Sequence, residues 1–359
     1  MSYEKTVWAG EGTLAREQEY NYHWCYERGI ITKAWLDVHA ATGDRRFYDA
    51  AKANVDQYVT EDGAILTYEP EKYNLDMICM GRTALRLFKA TGKAKYEKAC
   101  RRLIEQIKGQ PTTAEGGFWH KKLYPQQMWL DGIYMACPFL TEFAVTFGEM
   151  QWADLAAKQM ELIFEKTRLE SGLHAHAWDS AKAQKWADPQ TGLSPHVWGR
   201  AMGWFVMAHA DVLVALPESH PDYAQLSLQM KSLLTAVMAA RGADKLWHQV
   251  MDRPESAENY AESSCSAMFI YGLAKGKALG LCGAKEEAAA IREKAEKDIA
   301  QEKKQAANEM KSEISVLAVD LASKVVRKEI DAAEDKPPRS DLRKYVRGVR
   351  IGKKHDKPR

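Results

Sequence analysis

One pattern recurs along roughly the first 280 residues and restricts what the chain can fold into. An apolar run ends at a short turn, and an aromatic residue then opens an alanine-rich stretch. It appears as ATGDRRFYDAAKANVDQY, as ATGKAKYEKACRRLIEQI and as TFGEMQWADLAAKQMELI, with looser copies in LPESHPDYAQLSLQMKSLL and ALGLCGAKEEAAAIREKAE. Gly43, Gly92, Gly148 and Gly280 stand where helices stop, because only glycine enters the left-handed C-cap without strain. The copies lie roughly 50–70 residues apart, the length of an αα-hairpin plus a long loop. Five hairpins with only short extended stretches between them predict an all-α protein. A single layer of such hairpins either stays open or closes on itself. The closed α/α barrel is favoured, with its site at the loop-bearing end, since the loops GGFWHKKLYPQQMWLDG and TGLSPHVWGRAMGW concentrate Trp, His and Asp.

Charge excludes some functions. The net charge of +2 conceals a tail, residues 336–359, with ten Lys/Arg against two Asp, so the preceding 335 residues carry −6. Binding to nucleic acid or an anionic membrane would rest on that tail alone, and a solvated terminus is the expected reading of it. The six cysteines form no C-x-x-C pair, which argues for reduced, buried thiols and against structural zinc. There is no apolar run of membrane-spanning length and no secretory leader pattern, so a cytoplasmic protein without a membrane partner is expected. Walker, G-x-G-x-x-G and G-x-S-x-G motifs are missing, and no cofactor is expected.

Three segments cluster aromatics with ionisable groups. In YNLDMICMGRTALRLF, Asp76 precedes an apolar-periodic run, and capping of a helix N-terminus is the competing role. In FWHKKLYPQQMWLDGIYMACPFL, Asp131 lies between Trp129-Leu130 and Gly132 at a loop-to-helix junction. Large apolar neighbours would raise its pKa toward general-acid work; an N-cap with Trp129 in the core is the alternative. In SPHVWGRAMGWFVMAHADVL, Arg200 lies between Trp198 and Trp204. Its planar fork suits a substrate carboxylate, although an Arg–Trp cation–π pair explains the pattern equally. The cluster LHAHAWDS offers His174, His176 and Asp179, but no convincing third ligand spacing for a metal, and a histidine in a polar pocket fits better.

Taken together, NLDMICMGR, MWLDGIYMACPFL, HAWD, WGRAMGW and AESSCSAMFIYGLAKG resemble glycoside hydrolase family 105, the unsaturated rhamnogalacturonyl hydrolases, over about residues 15–280. That family is related to the unsaturated glucuronyl hydrolases of family 88. The resemblance implies an (α/α)6 barrel of the six-hairpin glycosidase type. It implies removal of 4,5-unsaturated galacturonyl residues from pectin-derived rhamnogalacturonan oligosaccharides. Asp131 would be the catalytic acid/base that protonates the C4=C5 vinyl ether, after which water adds at C5. Asp76, His120, Tyr124, Trp129, His176, Trp198, Arg200 and Trp204 would bind the sugar, with His120 through Tyr124 lining the pocket and Trp129 forming an apolar wall beside Asp131. Glucuronyl substrates, or a non-catalytic helical interaction protein, are the alternatives.

The resemblance divides the chain into a barrel domain, 1–283, a charged helix, 284–335, and a basic tail, 336–359. Residues 285–331 resemble the C-terminal helix of ATP synthase subunit b and are compatible with helix-mediated self-association. The family's final hairpin and a GVGPF-like motif have no counterpart here, so the barrel is expected to be incomplete.

Overall fold

The computed structural model describes Thr13 and Leu14 and residues 23–243 and 245–282. The expectations for 284–335 and 336–359, including self-association through 285–331, lie outside the described residues.

Within them the chain is a run of helical hairpins. Helices α1 (Tyr26–Thr42) and α2 (Arg45–Asp56) form the first, α3 (Gly81–Thr91) and α4 (Ala94–Lys108) the second. Helices α5 (Leu130–Phe147) and α6 (Gln151–Thr167) form the third, α7 (Gly199–Ala215) and α8 (Tyr223–Ala239) the fourth, and α9 (Ser263–Ala278) follows. The glycine stops fall where the repeat places them: Gly43, Gly92 and Gly148 cap α1, α3 and α5 in the left-handed region. Ala and long straight side chains hold each second helix, while its opening aromatic (Phe47, Tyr96, Trp152) is buried against the first.

The helices lie in two layers. Each first helix packs on the next first helix, α1 on α3, α3 on α5, α5 on α7 and α7 on α9, while the second helices lie outside them. Inner helices α5 and α7 are apolar nearly all round, as helices flanked on every side must be. Phe139, Phe143 and Phe205 are completely buried, each stabilising the fold by roughly 1.5–3 kcal/mol through burial. Among the described residues no helix is long and apolar enough to cross a membrane.

A buried ion network joins all five inner helices. Arg82 of α3 is 2% exposed and reaches Glu142 of α5 at 2.5 Å and Asp211 of α7 at 2.7 Å. Tyr271 of α9 donates to Asp211, and Lys33 of α1 donates to Tyr271 Oη at 3.0 Å and to Asp37 at 2.7 Å. Burial raises the Asp211 carboxyl, but the charges of Arg82 and Lys33 outweigh it and hold the group at about 2.

The helices leave the loops between hairpins at one end. There two short strands, β1 (Gln127–Trp129) and β2 (Ala177–Asp179), pair antiparallel with Trp129 opposite Ala177. They were legible in the sequence only as extended stretches.

Candidate active site

The ribbon sets the geometry of the site. β1 runs directly into α5, so Asp131 stands in the first turn of that helix. His176 immediately precedes β2, and the Leu130 N–H donates to its carbonyl at 3.0 Å. The two side chains therefore meet: His176 Nε2 lies 2.9 Å from Asp131 Oδ2. Both are largely covered, the carboxylate 15% and the imidazole 24% exposed. The N-cap of α5 is Trp129 and makes no side-chain capping bond, so Asp131 is turned to His176 rather than spent on the helix end.

Asp76 is likewise not a helix cap. It lies in a 3-10 turn, Leu75–Met77, whose cap is Asn74, and its carboxylate faces Lys121 Nζ at 2.7 Å and His120 Nε2 at 3.4 Å. Burial raises its pKa, but the hydrogen bond and charge of His120, with Lys121 beside it, bring it down to about 2. Asp76 is thus a fixed anion that orients two cationic or hydrogen-bonding neighbours.

A stack of three rings connects the two carboxylates. His120 lies on Trp129 at 4.8 Å and Trp129 on Tyr124 at 4.9 Å, all nearly parallel. Trp129 also presents its edge to His176 at 5.3 Å and donates its indole N–H to Gln127 Oε1 at 3.1 Å. The wall expected from Trp129 is therefore a half-buried stacking platform that meets Asp131's partner. Gly132 makes this possible, since a Cβ there would stand 2.8 Å from His120 Nδ1.

On the other side, Trp198 tilts against His176 at 5.0 Å, and the Arg200 guanidinium lies 4.2 Å over the Trp198 ring. The cation–π pair left open by the sequence is present, and Arg200 Nη1 also pairs with Glu262. Trp204, one turn further along α7, packs on Tyr134 at 5.0 Å and edge-on to Tyr26 at 6.3 Å. The structure thus groups Asp131, His176, Trp129, Tyr124, His120 and Asp76 in one contact chain and joins Trp198 and Arg200 to it. Trp204 is joined instead to Tyr134 and Tyr26.

Tyr26 and Glu262 escaped the sequence reading. Burial and Glu27, followed by the charges of Asp76 and Asp131, push the Tyr26 phenol up to about 12. Glu262 sits inside AESSCSAMFIYGLAKG, a motif singled out as a whole; only its pairing with Arg200 distinguishes it.

The HAHAWD residues do not converge. His174 turns into the core against Phe164 and Thr167, His176 goes to Asp131, and Asp179 accepts from the backbone N–H groups of Ala181, Ala183 and Gln184. At the opposite end of the helices, Asp154, His220 and Asp222 approach one another closely enough to consider a cation. Both His220 nitrogens are already engaged there, Nδ1 accepting from the Asp222 N–H and Nε2 facing Asp154 at 3.1 Å.

Comparison with known proteins follows the same lines. The chain is 38% identical over 157 residues to Protein Atu3128 of Agrobacterium fabrum, covering 44% of this chain and 67% of that one. It is 25% identical over 304 residues to the unsaturated rhamnogalacturonyl hydrolase YesR of Bacillus subtilis strain 168, covering 82% and 83%. A solved structure of a family 105 glycoside hydrolase from C. acetobutylicum superposes with a TM-score of 0.74 at 39% identity, covering 77% of this chain and 78% of that one. The all-α fold of the six-hairpin glycosidases is borne out, as is the resemblance to family 105. The model of glycosyl hydrolase family 88 matches residues 6–320. The chain is a glycoside hydrolase and belongs to glycosyl hydrolase family 88.

Proposed function

We propose that the protein removes 4,5-unsaturated galacturonyl residues from the non-reducing end of rhamnogalacturonan oligosaccharides. The observation that carries this reading is the Asp131–His176 carboxyl–imidazole pair beside a stacking platform. Displacement at an anomeric carbon calls for a second carboxylate free to act as nucleophile or base, whereas here both Asp76 oxygens are engaged by His120 and Lys121. One proton donor suffices for hydration of an enol ether. Asp131 delivers a proton to C4, the C4=C5 electron pair forms the new C–H bond, and positive charge shared by C5 and the ring oxygen is quenched by water at C5. The carboxylate, with His176 at hand, takes back the proton that the water loses. The hemiketal so formed opens, and the aglycone leaves C1 as an alcohol.

Trp129, Tyr124 and Trp198 offer flat faces to the sugar, with the buried His120 supporting Trp129, and Arg200 offers donors to its carboxylate. The name of YesR, an unsaturated rhamnogalacturonyl hydrolase, supports the galacturonyl substrate. The reaction consumes the product of a polysaccharide lyase, the class of enzyme whose elimination leaves this double bond. A cytoplasmic setting accords with the buried thiols of Cys79, Cys100, Cys137 and Cys265.

The test is loss of the ultraviolet absorbance of the unsaturated uronate when the protein meets unsaturated galacturonyl-rhamnose. Unsaturated glucuronyl disaccharides run in parallel. Turnover of the galacturonyl compound is expected; preference for the glucuronyl compounds would move the assignment, and a folded protein inert toward both would end it.

A further inference from the structure

Glu262 is the N-cap residue of α9 and only 6% exposed. Its Oε1 receives Arg200 Nη1 and also the Ser264 hydroxyl, at 2.8 Å. Its Oε2 is buried and has no hydrogen-bond partner. A buried carboxylate oxygen without a donor is costly to keep, so this atom is a candidate for a donor brought by a ligand. Arg200 is anchored by one nitrogen, its Nη1, and its guanidinium rests over Trp198. It is 36% exposed, in contrast to the covered Glu262.

We propose that Glu262 is a positioning and specificity-determining residue of the site. Through Oε1 it fixes Arg200 over Trp198, so that the rest of the guanidinium meets the carboxylate of a bound uronate. Through Oε2 it accepts a hydroxyl of the same sugar ring. The pairing offsets much of the Arg200 charge, so recognition depends on the directed fork and the hydroxyl more than on bulk attraction for anions. A sugar lacking that hydroxyl leaves the acceptor unmade and is discriminated against. The inference rests on reading the site as one for unsaturated uronates.

Steady-state kinetics on unsaturated galacturonyl-rhamnose test it, with Glu262→Gln, Glu262→Asp, Arg200→Met and the double variant Glu262→Gln/Arg200→Met. Glu262→Gln is expected to raise KM about tenfold while kcat stays within about threefold, the split that marks lost binding shared by ground and transition states. Glu262→Asp, which keeps the charge, is expected to raise KM by a smaller factor. In the Arg200→Met background the effect of Glu262→Gln is expected to shrink to about twofold, because the two residues act as a unit. The proposal is overturned if KM stays at the wild-type value in both Glu262 variants, if kcat falls alone, or if the Glu262 and Arg200 effects multiply independently. Should Glu262→Gln not fold by circular dichroism, an unmoved KM in Glu262→Asp decides against it by itself. A wild-type protein inert toward unsaturated uronides sinks the proposed function, whereas an active one with unmoved KM sinks only this inference.

Discussion

His176 Nε2 stands 2.9 Å from Asp131 Oδ2 although 45 residues separate them in the chain. The antiparallel register of β1 and β2, with Trp129 opposite Ala177, sets both ends of that bond. Because the imidazole also touches Trp129 and Trp198 by its ring, it is confined on several sides. An acid held this way keeps its oxygen aimed while the proton moves, and orientation of that kind is a large part of general-acid efficiency.

Asp131→Asn removes the transferable proton with almost no change of shape. Its kcat is expected to fall at least about a thousandfold, with helicity and melting temperature close to wild type. His176→Gln is expected to retain more activity, since it disturbs orientation and leaves the acid. Circular dichroism together with the absorbance assay checks both; an Asp131→Asn variant that still turns over at about a tenth of the normal rate would exclude Asp131 as the donor.

Gly132 lies directly under His120. A methyl group there meets His120 Nδ1 at 2.8 Å and Leu75 Cδ1 at 3.1 Å, and His120 is only 3% exposed, with Trp129 stacked on its face. Gly132→Ala is therefore expected to cost about 1–3 kcal/mol of stability and to lower kcat/KM by about tenfold or more as the ring stack is displaced. Urea titration and kinetics on the same preparation compare the two. Full activity would mean that the stack yields without disturbing Asp76 or Asp131.

Arg82 neutralises two carboxylates in the interior. Arg82→Met leaves Glu142 and Asp211 facing a side chain that cannot donate, and breaking a buried pair from one side costs about 3–5 kcal/mol. The loss should appear in chemical denaturation without a change in the spectroscopic signature of the site. A cost below about 1 kcal/mol would show that water reaches these carboxylates.

Two buried histidines make the fold acid-sensitive. Burial lowers the His174 imidazole to about 3 and that of His209 to about 4. In the unfolded chain both titrate near 6.5, so below that pH the unfolded state takes up protons that the core refuses. Stability is thus complete above about pH 6.5 and declines as pH falls, by about 3 kcal/mol for each histidine at about pH 4. Asp76 and Asp211, depressed to about 2, act at lower pH: their contribution is present above their ordinary value of 3.8 and is lost as pH falls toward 2. Unfolding free energies measured from about pH 8 to about pH 4 should show this slope, and His174→Gln should remove about one proton from it. A flat profile over that range would show that the two rings are accessible to water.

Helical class and turn positions followed from the sequence, because glycine at a helix stop and an aromatic opening the next helix are local properties of the backbone and of apolar spacing. The location of Asp131 at a loop-to-helix junction was local in the same sense. Whether its carboxyl capped the helix was not, since N-cap and acid share the same residue type and spacing. Pairing between strands three residues long decided that, by carrying His176 to it from the next inter-hairpin loop. The same holds for Glu262, which reads as an ordinary helix-start acid until α9 packs beside α7 and brings it to Arg200. Local backbone preferences are written residue by residue, whereas a hydrogen bond between distant side chains exists only after apolar burial has fixed which helices are neighbours.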